Sequence, residues 1–218
     1  MACCAVIAAA GTGARAGGAK QFTELNGRAA LWHAVRPFVR AAAIDRVRVV
    51  VAADASEIAA RSLGELAAEV ELIPQGGATR TESVRAGLAG LADDDWAAVH
   101  DGARPCLGDA ALARLLSAAF ADDVGALLAL PLCDALKCES GGRAQKTDGR
   151  GGKFLAQTPQ MFRAGMLRAA LCGDFADEAE AVENAGYAPL LAAGEAANIK
   201  ITYPGDFALA EAILAARA

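Results

Sequence analysis

The sequence predicts an α/β fold: a single doubly wound, mostly parallel sheet with a Rossmann-like nucleotide-binding core. Apolar runs of strand length alternate with amphipathic helical segments along most of the chain, as in parallel strands joined by crossover helices. The first run, ending Val6-Ile7-Ala8-Ala9-Ala10, breaks into Gly11-Thr12-Gly13-Ala14-Arg15-Ala16-Gly17-Gly18-Ala19-Lys20-Gln21. A glycine-rich loop therefore leaves the carboxyl end of a strand, where ligands sit in such sheets. At 218 residues the chain suffices for one such domain and is short for two, so residues 1–218 are expected to form a single domain.

After the loop, residues 29–39 have helical spacing with Leu31, Val35 and Phe38 on one face, and residues 46–53 read as a valine-rich strand. Ser56 is placed as the N-cap of a helix to about residue 68, followed by a strand at 70–73. Gly76-Gly77 reads as a tight turn before a helix that begins near Thr81 and carries Val84, Leu88 and Leu91. Residues 97–100 form a short buried strand whose last member, His100, reads as a core histidine rather than a catalyst. Its end delivers Asp101, Arg104 and Pro105 in a turn, where Asp101 and Arg104 either pair structurally or serve the site at the sheet's carboxyl edge. Asp109 is expected to cap a helix through Phe120, before a strand at 124–130. Residues 138–153 lack apolar periodicity, which leaves a functional loop or a solvated linker. Short helices are expected at 166–171 and 177–185, strands at 188–192 and 199–202, and a final helix over 207–216 opened by Pro204 and Asp206. Lys200 interrupts the last apolar run, so alternation turns it either to solvent or to the pocket.

Hydrophobic residues make up 55% of the chain but aromatics only 5%, so alanine dominates and helix should outweigh strand. No basic segment precedes the first apolar run and the glycine loop cuts that run short, so neither a signal peptide nor a membrane span is expected and the location is read as cytoplasmic. A net charge of −5 argues against a general nucleic-acid surface, and anionic ligands must meet local basic clusters. The six cysteines form no C-x-x-C pair and there are two histidines, so no protein-built metal cage is expected and the thiols read as reduced and mostly buried.

The loop itself carries chemistry. Glycines let backbone N–H groups turn toward an anion, and Arg15 and Lys20 supply a planar fork and a mobile point charge that can follow phosphate charge during a reaction. A Walker loop is excluded because Lys20 precedes Gln21 and no hydroxyl follows it. Gly11-Thr12-Gly13-Ala14-Arg15-Ala16 meets the loose dinucleotide pattern, but Gly17 and Gly18 oppose a helix there and the first acid ending a second apolar run, Asp54, comes too late.

The stretch from Ala8 to Gln21, continuing into Leu25-Asn26-Gly27, resembles the nucleotide loop of the 2-C-methyl-D-erythritol 4-phosphate cytidylyltransferases of isoprenoid biosynthesis. Similar blocks follow in order over the whole chain: Gly76-Gly77 with Arg80 and Ser83-Val84, His100 to Pro105, Pro131 to Lys137, Gln157-Thr158-Pro159-Gln160, Asp177-Glu178-Ala179 and Asn198-Ile199-Lys200-Ile201-Thr202. The resemblance implies transfer of the cytidylyl group from CTP to the polyol phosphate, with Arg15, Lys20, Lys200 and Arg150 around the reacting phosphates. It implies nucleotide binding by Ala9, Ala10, Gly11, Gly13, Gly77, Ser83 and Gly102, and acceptor binding by Asp101, Arg104 and Thr158. It also implies a Mg²⁺ ion held mainly by the triphosphate, and a homodimer formed through a protruding β-arm at about 134–157 that brings Arg150 to the partner's site.

Ala135 and Ala176 depart from the family pattern, which has threonine at both places for acceptor recognition; Ala16, Ala19 and Gly102 are milder departures. They keep ribitol 5-phosphate as an alternative acceptor, and an NAD-binding oxidoreductase using Gly11 and Gly13 is the more remote alternative.

Overall fold

The computed structural model describes residues 1–11 and 18–217. Among them the main sheet has seven strands, in the order β11-β7-β10-β6-β1-β4-β5. These are β1 (Cys3–Ala8), β4 (Arg46–Val50), β5 (Glu71–Ile73), β6 (Trp96–Asp101), β7 (Gly125–Pro131), β10 (Phe154–Arg163) and β11 (Leu190–Ala193). Strand β1 runs parallel to both β4 and β6, while β10 lies antiparallel between β6 and β7. The sheet is thus mostly parallel, as expected.

Strand β1 shows why the alternation folds this way. Cys3, Ala5 and Ile7 point into one core, with Leu31, Val35 and Phe38 of α1 (Ala30–Arg40) and Leu112 and Leu115 of α4 (Asp109–Phe120). Cys4 and Val6 point into the other, with Val84 and Leu88 of α3 (Arg80–Leu88), Leu167 of α5 (Ala164–Ala170) and Val182 of α6 (Glu178–Asn184). Both faces are covered, so the strand has no polar face. Close packing needs Gly87, where an added Cβ would lie 2.3 Å from Val6 Cγ1; α3 therefore lies tight on β1 with its first turn over the sheet's carboxyl edge. No described helix is long and apolar enough to cross a membrane.

Several expectations need correction. Ser56 is the first residue of α2 (Ser56–Leu63) rather than its cap, and no side chain caps that helix; a 3₁₀ segment, Gly64–Glu69, continues it. Asp109 likewise begins α4 after Gly108, so its charge faces the helix dipole without a capping bond. Residues 199–202 form no strand; Ile201 N–H makes one backbone bond, to Ala103 O at 2.9 Å. Strand β10 has no counterpart in the sequence reading. Its pattern is irregular because the register with β7 shifts between Ala156 and Gln160, which swings Gln157 and Thr158 to the end of β6.

The unpatterned region is a hairpin of β8 (Leu136–Ser140) and β9 (Arg143–Asp148), whose residues are almost all exposed or half-buried. With no face to bury it has no period. A smaller hairpin, β2 (Glu24–Leu25) and β3 (Arg28–Ala29), turns through Asn26 and Gly27 at φ 48° and 81°, the positive angles of a two-residue primed turn. The last helix, α7 (Gly205–Ala215), closes a third small core with Leu25, Cys106, Ile201 and Ala210.

Candidate active site

A cavity of about 580 Å³ opens at the carboxyl ends of β1, β4 and β6. Its wall brings together Ala9, Ala10, Gly11 and Lys20 from the loop flanks, Gly77 and Ser83 from the start of α3, and Asp101 and Lys200. Gly13 and Arg15 lie outside the described residues. Gly102, Arg104, Arg150 and Thr158 are not part of this wall.

The flanks of the loop are held by Gln21, to which the sequence alone assigns no role. Its buried amide donates to Ala9 O at 2.8 Å and Gly11 O at 2.9 Å. Ala9 N–H is also spent, on Val50 O, so Ala9 contributes surface rather than hydrogen bonds. Opposite, Gly76 lies so close to Ala10 that an added Cβ would sit 2.3 Å from the alanine methyl. The following turn is pinned by a capping box in which Thr79 Oγ1 accepts from Glu82 N–H while Glu82 accepts from the N–H groups of Thr79 and Ala78. Ser83 Oγ accepts from Gly77 N–H at 3.1 Å and donates to Thr79 O at 3.0 Å. A rigid rim of peptide groups results.

Asp101 is the electrostatic hub. Its Oδ1 meets Arg80 Nε at 2.9 Å, and its Oδ2 meets Lys200 Nζ at 2.7 Å, with Arg104 Nε at 3.7 Å. Burial works against the charge, but these three cations hold the carboxyl far below the usual carboxylate range. Lys200 thus faces the cavity, the alternative left open by its place in the sequence. The segment carrying it is anchored by Asn198, which is fully buried, donates to Thr158 O at 2.8 Å and accepts from Arg104 Nη1 at 2.7 Å. Beyond it, Asp206 accepts from the N–H groups of Thr202 and Tyr203; those bonds, with nearby Lys20, keep its carboxyl low.

Thr158 braces this cluster from behind. Its Oγ1 accepts from Asp101 N–H at 3.1 Å and lies 3.1 Å from His100 Nδ1. The other ring nitrogen of His100 lies 3.1 Å from Arg104 O, and burial pushes the imidazole down to about 4, as befits a core histidine with both nitrogens occupied. Arg104 Nε is buried with no hydrogen-bond partner among the described residues, an orphan donor beside the cluster. Arg150 is exposed beyond the hairpin, where it donates to Cys133 O.

Arg80 and Glu178 stand out from the motif blocks only in three dimensions. Arg80 spans from the cavity wall to a buried Glu178 at the start of α6. Among the described residues, no group of three His, Cys, Asp or Glu side chains could hold a metal ion. The cysteines are free; Cys3, Cys4 and Cys106 are buried, and burial pushes their thiols up to about 12, 11 and 11, whereas Cys133 and Cys172 are exposed.

A family model described as 2-C-methyl-D-erythritol 4-phosphate cytidylyltransferase matches residues 3–216. A protein of that name from Ralstonia nicotianae is 49% identical, the match covering 98% of this chain and 92% of the relative. One from Chromobacterium violaceum is 46% identical, covering 98% of each. The fold superposes on a crystal structure of 4-diphosphocytidyl-2C-methyl-D-erythritol synthase with a TM-score of 0.87 at 38% identity, covering 98% of both chains. The Thermus thermophilus 2-C-methyl-D-erythritol 4-phosphate cytidylyltransferase matches with a TM-score of 0.78 at 31% identity, again over 98% of both.

Proposed function

This chain belongs to the 2-C-methyl-D-erythritol 4-phosphate cytidylyltransferase family, and on that premise we propose which of its residues carry the reaction. It is a nucleotidyltransferase that moves the cytidylyl group of CTP onto 2-C-methyl-D-erythritol 4-phosphate in isoprenoid biosynthesis. The family match favours this reading over ribitol 5-phosphate as acceptor and over the nicotinamide reading of Gly11 and Gly13.

An oxygen of the acceptor phosphate attacks the α-phosphorus of CTP while the bond to the bridging oxygen of the β-phosphate breaks, releasing pyrophosphate. The attacking phosphate is already ionised, so neither a covalent nucleophile nor a general base is required. What the protein must supply is alignment and positive charge. The observation that carries the assignment is the arrival of Lys20 and Lys200, from opposite ends of the chain, on the wall of one cavity. In this reading they meet the reacting phosphates together with Arg15, while Gly77, Ser83 and the backbone at Ala9, Ala10, Gly11, Gly13 and Gly102 frame the nucleotide. Arg104, which donates to Asn198 O and lies 3.7 Å from Asp101, is assigned with Asp101 and Thr158 to the acceptor on the family resemblance.

Asp101 is the carboxylate on the cavity wall and is already bound by cations, so the donor set fits a Mg²⁺ ion held mainly by the triphosphate rather than by side chains. Such an ion would neutralise charge on the triphosphate. We also read the protein as a cytoplasmic enzyme with no nucleic-acid or membrane partner, and as a homodimer. Leu136, Phe154 and Leu155, exposed by 40%, 44% and 53% on the hairpin and its root, support a second chain covering the arm and taking Arg150 into its site. Coupled detection of pyrophosphate from CTP tests the assignment: turnover with methylerythritol phosphate should exceed that with ribitol 5-phosphate despite Ala135 and Ala176, and the reverse preference would overturn the acceptor.

A further inference from the structure

Glu178 does not touch the cavity, yet its carboxylate is only 1% exposed. Burial pushes the Glu178 carboxyl up, and the partner that opposes this is Arg80. The guanidinium lays its fork on both oxygens, Nη1 at 2.6 Å from Oε1 and Nη2 at 2.9 Å from Oε2. Because the group is planar, fixing those two nitrogens also fixes the third. Nε then points at Asp101 Oδ1, 2.9 Å away.

Asp101 divides its oxygens accordingly. One is held by Arg80, and the other is turned to Lys200 at 2.7 Å and Arg104 at 3.7 Å, while its backbone N–H is held by Thr158. The chain of contacts thus runs from α6 through α3 to the end of β6, and from there to the lysine assigned to the reacting phosphates. A swing of the Asp101 carboxylate would carry the ammonium with it.

We infer that Arg80, locked by Glu178, is a positioning residue that orients the Asp101 carboxylate and through it sets where Lys200 rests. The inference builds on the cytidylyl-transfer reading above. Arg80 also reaches the cavity wall, so the rival role is direct contact with CTP. The two differ in what they disturb: a nucleotide ligand changes CTP affinity, whereas a positioning residue changes turnover and the titration of the carboxylate it holds.

The groups facing Asp101 are Arg80 from α3, Arg104 from its own turn, Lys200 from the segment before α7, the neighbouring buried His100 of β6, and Glu178 behind Arg80. Removing Arg80 takes away the first of the cations that hold this carboxyl down, so Asp101 should titrate at higher pH. The variant of choice is Arg80→Met with Glu178→Gln, which leaves no unpaired charge in the buried slot. Carbon-13 NMR titration of Asp101 should show its midpoint raised toward the ordinary carboxylate range, and kcat should fall about tenfold with the CTP KM changed by less than about threefold. Glu178→Gln should lower kcat alone but not when added to Arg80→Met. A CTP KM raised about tenfold at unchanged kcat, an unmoved Asp101 titration, or equal cost of Glu178→Gln in both backgrounds would each overturn the inference. If the double variant does not fold, Arg80→Lys, which keeps the charge but loses the fork, decides on kinetics: kcat reduced at a CTP KM changed by less than about threefold supports positioning, and any other result refutes it. An unmutated protein that releases no pyrophosphate would overturn the functional reading instead, while the Asp101 titration still decides the geometry.

Discussion

Single side chains in this site work by where they put charge. Lys200→Ala should lower turnover by about 10² or more, the cost of removing one preorganised donor, and Lys20→Ala should match it. Steady-state kinetics separate this from a loss of CTP affinity at unchanged kcat, which would move both lysines out of the transition state. Gln21 acts through the backbone. Truncating Gln21→Ala leaves the carbonyls of Ala9 and Gly11 without their donors, at about 1–3 kcal/mol, and should raise the CTP KM more than it lowers kcat. His100 contributes pH dependence. Its folded value near 4 lies below the ordinary 6.5, so the unfolded chain binds the extra proton between those values and stability is lost as pH falls from 6.5 toward 4. The full effect is about 3 kcal/mol. Thermal melts over that window should flatten in His100→Gln relative to the unmutated protein, and parallel curves would show that His100 is not the titrating group.

Among the elements, the first turn of α3 and the hairpin make opposite demands. The α3 turn tolerates no bulk: Gly76→Ala would drive a methyl into Ala10 and to 2.8 Å from Val51 O. Overpacking of this kind costs about 1–3 kcal/mol, and here it should also raise the CTP KM because Ala10 is cavity wall. An unchanged KM with lowered stability would confine Gly76 to packing. By contrast, β8 and β9 rest on little of their own domain. Replacing residues 136–148 with a short glycine linker should leave the melting temperature of the sheet domain nearly unchanged, yet abolish turnover if Arg150 must be delivered across a dimer.

For the molecule as a whole, the proposed homodimer with a shared site predicts complementation. A closed two-fold dimer exchanges both arms, so each site would hold Lys20 from one chain and Arg150 from the other. Lys20→Ala and Arg150→Ala dimers, each nearly inactive, should regain activity on subunit exchange, because half of the sites in a heterodimer carry neither lesion. No recovery after demonstrated exchange, or a fully active monomer, would return Arg150 to the role of an ordinary surface arginine.

The sequence by itself determined the α/β class, the loop at the end of β1, and the blocks that place this chain in its family. Those features are local: alternation, glycines and motif spacing are written along the chain. Only the tertiary structure decided which way Lys200 faces, because residues 199–202 lack strand pairing and are held instead by Asn198 and Ala103. It also revealed β10, whose register shift hides its alternation; the hairpin buries no face and so carries no period, and in the sequence the β-arm was expected only from the family resemblance. The Glu178–Arg80–Asp101 relay was invisible for a related reason. Its members come from three separate elements, and only folding lays the Arg80 guanidinium between the two buried carboxylates.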